Sequence, residues 1–140
     1  MITKLSHASI YVLDQASARD FYLNKLGFEE KMNVPLGEDV AWITVSPKDQ
    51  PDLQLTLMPI NQGNMFSAET AEQLASLVAN GAFGFGVFAC KDIYATYQEL
   101  SDKGVVFTKA PTEEFYGIEA MFKDDSGNWF SLTQSKEEAS

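Results

Sequence analysis

A single cysteine, Cys90, rules out an internal disulfide, and the chain is expected to work in a reducing compartment such as the cytoplasm. Basic residues are few: ten Lys and Arg stand against 20 Asp and Glu, for a net charge of −10. Phosphate backbones would be repelled, so nucleic acid is not an expected partner. No apolar run reaches the length that spans a bilayer, so no membrane partner is expected. The opening MITKLSHASIYVLD lacks a basic region followed by an apolar core and a small-residue cleavage site, so no signal peptide is expected. Gly-rich phosphate loops, nucleophile elbows and Cys-x-x-Cys pairs are also missing. What is present is ordinary for a globular protein: 140 residues, 45% of them hydrophobic, enough for one core.

Patterning predicts strands and helices in a fixed order. Leu5–Leu13 reads as a strand, with Leu5, His7, Ser9 and Tyr11 on one face. Asp14 then caps a helix in which Ala18, Phe21, Tyr22 and Leu26 recur at helical spacing, closed by Gly27. Phe28–Val34 is a strand, Pro35–Asp39 a turn, Val40–Val45 a strand, Ser46–Asp52 a loop and Leu53–Met58 a strand. Pro59–Phe66 is irregular. Ser67 caps a helix that ends at Gly81 and connects two halves. Phe83–Ala89 is a strand, and Asp92–Lys103 a helix capped by Gly104. Val105–Thr108 is a strand, Ala110–Gly117 a loop, and Ile118–Lys123 and Asn128–Gln134 are strands. The tail SKEEAS is expected to fray.

The second half repeats the first. HASIYVLDQASARDFYLNKLGF superposes on FGVFACKDIYATYQELSDKGVV, with Asp14 on Asp92 and His7 on Phe85. Gly27 falls on Gly104, and equal spacing onward from each glycine reaches Gln54 and Ser131. The fold class expected is α+β. Two βαβββ modules, about 1–58 and 83–134, are joined by a connector helix at about 67–80. Together they form a curled, partly open eight-stranded mixed sheet around a cavity, with helices outside. His7, Gln54, Phe85 and Ser131 are expected to share the concave face.

The motifs H-x6-D, ARDFYLNKLGF, KDIYATYQELSDKGV and DDSGNWFSL resemble the vicinal oxygen chelate superfamily, which includes glyoxalase I, bleomycin and fosfomycin resistance proteins and extradiol dioxygenases. The resemblance covers nearly the whole chain. It implies that a metal, where one is bound, would be held at His7, Gln54, Phe85 (or Gly86, should the strand register be off by one) and Ser131. Of these, His7 is a strong ligand type and Gln54 a neutral carbonyl, while Phe85 and Ser131 do not suit a divalent cation. Glu119 on the penultimate strand is a replacement candidate. A divalent metal is therefore a minor expectation, resting on His7, Gln54 and Glu119, and no cofactor is the main one. The resemblance also implies a homodimer whose cavity is completed by the partner.

Two readings of function follow. In the first, an aromatic-lined cavity binds a small organic molecule without chemistry: Phe85, Trp129, Tyr11 and Trp42 supply apolar area, while Gln54, Ser131 and His7 orient polar groups. Tyr116 and Glu119 lie at a loop edge, where binding residues concentrate. In the second, the protein is a metal-dependent lyase or dioxygenase with a degenerate ligand set. Each residue also has a plainer role. His7 can be a hydrogen-bonded strand residue, Trp42, Tyr11 and Trp129 can be packing, and Cys90 reads as an inert buried thiol.

Overall fold

Period-two patterning becomes eight strands in the computed structural model, which describes residues 1–60 and 66–136. In chain order the elements are β1 His7–Val12, α1 Gln15–Asp20, a π-helical turn Phe21–Lys25, β2 Glu29–Gly37, β3 Val40–Ser46 and β4 Gln54–Pro59. After these come α2 Ala68–Ala79, β5 Gly84–Ala89, α3 Ile93–Asp102, β6 Val106–Glu114, β7 Gly117–Lys123 and β8 Trp129–Ser135. Most of the irregular stretch expected at Pro59–Phe66, and most of the tail, lies outside the described residues. None of the described helices is long and apolar enough to cross a membrane.

The strands divide into two mixed sheets of four, ordered β1-β4-β3-β2 and β5-β8-β7-β6. In each sheet the first and last strands of the module run parallel, and the remaining pairs are antiparallel. The repeat seen in sequence is thus a repeat of topology. Its helix starts are fixed by side-chain caps: Asp14 accepts from the Ser17 amide at 2.9 Å, and Asp92 from the Ala95 amide at 3.1 Å. A cap of this kind is worth about 1 kcal/mol. Ser67 caps α2 through the Thr70 amide.

Alternation sends one face of each sheet into a common core. Ile10, Val12, Ile43, Val45, Leu55 and Leu57 from the first sheet join Ala120, Phe122, Phe130 and Leu132 from the second. Phe21, Tyr22, Ile93 and Leu100 pack onto them from the helical segments. The Phe88 ring stacks on Phe130 at 4.7 Å, and Phe28 meets Phe88 edge-on across the modules. The opposite sheet faces are left for other work.

Two expected boundaries shift for one reason. Pro35 was read in a turn and Pro111 in a loop, yet β2 runs to Gly37 and β6 runs to Glu114. Both are edge strands, and each proline falls at a register shift where no ladder amide is needed. The first hairpin turns instead at Glu38 and Asp39, with Asp39 at φ 61. The helix expected from Asp14 to Gly27 is also not uniform, since its second half widens into the π-helical turn.

A turn at 124–128 ties the modules together. The buried Asp124 carboxylate accepts from the amides of Ser126, Gly127 and Asn128, each at 2.9 Å, and from Asn128 Nδ2 at 3.0 Å. Tyr22 donates its hydroxyl to the same carboxylate at 2.7 Å from the other module. Burial and then the Asp124 charge push the Tyr22 phenol well above its ordinary range, so it stays a donor. Ser126 Oγ accepts from the Leu13 amide, and Asn128 Nδ2 donates to the Tyr11 carbonyl. The end of α2 lies over this turn so closely that a Cβ on Gly127 would meet the Val78 carbonyl at 2.3 Å.

Removing charge from a buried, fully bonded carboxylate leaves donors unpaired. Asp124→Asn is expected to lower unfolding free energy by about 2–4 kcal/mol, and Tyr22→Phe by about 1–2 kcal/mol, in urea titrations. A loss below about 0.5 kcal/mol in Asp124→Asn would show that the turn is held by other contacts.

Candidate functional site

The faces turned away from the core hold most of the residues singled out from sequence. On the first sheet, β1 and β4 place His7 opposite Gln54, and β3 brings Trp42 and Thr44 to the same side. His7 is exposed, its Nδ1 is 2.9 Å from Ser6 Oγ, and its ring lies 6.4 Å from Trp42. Thr44 donates to Gln54 Oε1 at 2.7 Å, which fixes the amide orientation. Thr56, directly opposite Thr44, is buried, and its hydroxyl has no partner. This half of the site is neutral, aromatic and rich in hydroxyls. Met32, Val34 and Leu36 on β2 extend it with exposed apolar side chains.

The second sheet differs in charge. Ser131 on β8 donates to Glu119 Oε2 at 2.5 Å, and Tyr116 donates to Glu119 Oε1 at 2.8 Å. Lys109 on β6 donates to Glu119 at 2.8 Å and to Glu114 at 2.9 Å. The Lys109 ammonium, followed by the Ser131 hydroxyl, pulls the Glu119 carboxyl down to about 2 against the opposing effect of burial. The bonds to Glu119 and Glu114 raise Lys109 above its ordinary range, and the bond to Glu119 raises Tyr116. At neutral pH the cluster holds an ionised Glu119 and a protonated Lys109, and Tyr116 is a donor.

Two residues are placed elsewhere. Phe85 was expected on the face of Ser131, but the register breaks between Gly84 and Gly86. The extra residue turns Phe85 toward the core, where it packs against Phe130 at 5.8 Å, and Val87 stands opposite Ser131 instead. A bulge shifts side-chain parity by one, which alternation counting cannot detect. Tyr11 lies beneath α2, edge-on to Phe66 at 5.6 Å, in a small cluster with Ile60, Ala71 and Val78. Trp129 does share the parity of Ser131, and its indole lies across Gly84, where a Cβ would sit 2.0 Å from the ring. No hydrogen bond or ring contact joins the His7–Trp42–Gln54 set to the Tyr116–Glu119–Ser131 set among the described residues.

Lys109 and Glu114 were missed in the sequence because Ala110–Gly117 was read as a loop. No periodic signal marked the strand there, because its register shifts twice, between Phe107 and Lys109 and between Lys109 and Thr112, on the way to the strand that carries Glu119.

These donors do not suit a divalent cation. Phe85 faces the core, Ser131 spends its proton on Glu119, and Glu119 is held by Lys109. No three His, Cys, Asp or Glu side chains converge among the described residues.

A family model for the Glyoxalase/Bleomycin resistance protein/Dioxygenase superfamily matches residues 4–132. The crystal structure of UcmS2 is similar, with 42% identity and a TM-score of 0.89 over 95% of this chain and 98% of that one. The crystal structure of TnmS3, an antibiotic binding protein from Streptomyces sp. CB03234, shares 27% identity and a TM-score of 0.74 over 96% and 98% of the two chains. The YurT protein of Bacillus subtilis (strain 168) is 36% identical over 132 residues, covering 94% of this chain and 98% of its own.

The charge state of Glu119 is open to measurement. Its folded value lies below its ordinary 4.5, so its contribution to stability is complete above about pH 5 and is lost as pH falls toward 2. Lys109→Met is expected to return the Glu119 carboxyl toward its ordinary range in a carboxyl carbon NMR titration. A value that stays at about 2 would assign the effect to Ser131 and Tyr116 instead.

Proposed function

Because the chain belongs to the Glyoxalase/Bleomycin resistance protein/Dioxygenase superfamily, we propose that it binds a small organic molecule on its open sheet faces without a complete metal site. One observation carries the reading: the carboxylate of Glu119 is already engaged by Lys109 and by Ser131, the residue that the family resemblance sets at a metal-ligand position. What remains suits recognition. Trp42 and Trp129 offer aromatic area, His7 and Gln54 offer polar contacts, and Tyr116 and Ser131 sit beside a fixed ion pair. The similarity to TnmS3 supports a ligand of the antibiotic kind.

The active form in this reading is a homodimer. His7 and Ser9 are exposed, and Phe115 at the tip of the β6–β7 hairpin is 84% exposed. Open faces carrying such groups need a cover before a ligand of drug size loses most of its water. A second copy supplies that cover. Sedimentation at micromolar concentration is expected to give a dimer, and a monomer would remove the proposed second wall.

Binding is tested by thermal shift against a library of aromatic antibiotics. A true ligand at about 100 times its Kd raises stability by about 2.7 kcal/mol, which moves Tm by roughly 5–10 °C. Trp42→Ala and Gln54→Ala are each expected to weaken that ligand by about tenfold. Metal analysis of protein purified without chelator is expected to fall far below one ion per chain. Near-stoichiometric metal that disappears in His7→Ala, with turnover of a hemithioacetal or a catechol, would establish the lyase or dioxygenase reading instead.

A further inference from the structure

The internal repeat is closed on one side and open on the other. At the first module, the end of β1 and the start of α1 receive the 124–128 turn. Ser126 and Asn128 bond to the backbone of Leu13 and Tyr11, and Ser17 donates to Asp125 at 2.8 Å. By the same repeat, the end of β5 and the start of α3 face the 46–52 connection. That connection contains Pro47 and Pro51 and bonds within itself, through Gln50 to the Pro47 carbonyl and Ser46 to the Leu53 carbonyl. Among the described residues, no hydrogen bond links it to β5 or α3. A groove of about 600 Å³ remains between the modules.

The groove has two kinds of wall. Phe28, Phe88, Leu100 and Leu132 line it with apolar surface, and Lys25, Lys48 and Lys103 also border it. Lys103 is paired with Glu99 at 3.3 Å, and Asp49 offsets one further charge. The lining nevertheless keeps a net positive charge in a chain of net −10. Lys25 and Lys48 have no carboxylate within salt-bridge distance among the described residues, and the Lys25 ammonium stands 5.9 Å from the centre of the Phe21 ring. An apolar wall beside a net positive charge matches a molecule that is apolar along its body and anionic at one end.

We propose that this groove is a second small-molecule site, separate from the sheet faces, and that it takes an amphipathic monoanion such as a medium-chain carboxylate or an aryl sulfonate. The body lies along Phe28, Phe88, Leu100 and Leu132, and the acid group meets Lys25 and Lys48. The site joins both modules, so its occupation favours their packed arrangement.

Calorimetric titration of the full chain with decanoate, decanol and decyltrimethylammonium tests the proposal. Decanoate is expected to saturate at one per chain, with decanol weaker by at least roughly tenfold and the cation weaker still. The double variant Lys25→Glu/Lys48→Glu is expected to weaken decanoate by at least roughly tenfold. Thr96→Trp, which fills the groove from α3, is expected to abolish binding, and Trp42→Ala on the other face to leave it unchanged. Circular dichroism and Tm confirm that each variant is folded. The proposal is overturned by non-saturable binding, by equal affinity for decanoate and decanol, or by unchanged affinity in both groove variants. Loss of decanoate binding in Trp42→Ala would place the ligand on the sheet face and overturn it as well.

Discussion

The buried carboxylate of Asp124 holds the architecture together. Five donors converge on it, four from its own turn and one from Tyr22 in the other module. A carboxylate with few partners would be expensive at this depth, whereas one with five is both stable and specific in its geometry. Because the donors come from two modules, the interaction sets how one sheet lies against the other. The Asn128 amide and the Ser126 hydroxyl pass the constraint on to β1. The strand that follows, β8, carries Ser131 and Trp129 into the candidate site, so the site inherits its position from the turn.

The two modules share topology and differ in chemistry. The face of the first is neutral, with an aromatic ring, an oriented amide and an unpartnered hydroxyl at Thr56. The face of the second is charged but internally satisfied, with Lys109 between two carboxylates. An ammonium at hydrogen-bonding distance from Glu119 offsets the charge of its carboxylate. The two ends also close unequally: one turn docks on its neighbouring helix, and its proline-containing counterpart bonds to itself.

Much of this was legible in the sequence. The spacing from Asp14 and Asp92 located both helix caps, and the glycines at 27 and 104, both at positive φ, marked both helix ends. His7 and Gln54 were expected on one face, and they stand opposite each other in the register of β1 and β4. Glu119, Tyr116 and Ser131 do meet. Three things were hidden. Prolines 35 and 111 signal turns locally, yet an edge strand tolerates them because its outer amides have no partner. The one-residue bulge at Phe85 reverses parity without any signature in composition. Lys109 was lost with the strand that carries it.

The sequence alone determined the order of elements, the duplication, the helix caps and the family resemblance. Each depends on contacts between residues close in the chain or on a spacing that the chain repeats. Tertiary structure decided which side Phe85 faces, that Lys109 bonds to Glu119, and that one junction between modules is plugged while the other stays open. Those outcomes depend on strand register and on donors far apart in sequence, such as Tyr22 and Asp124. Their energies exist only once the two modules have come together.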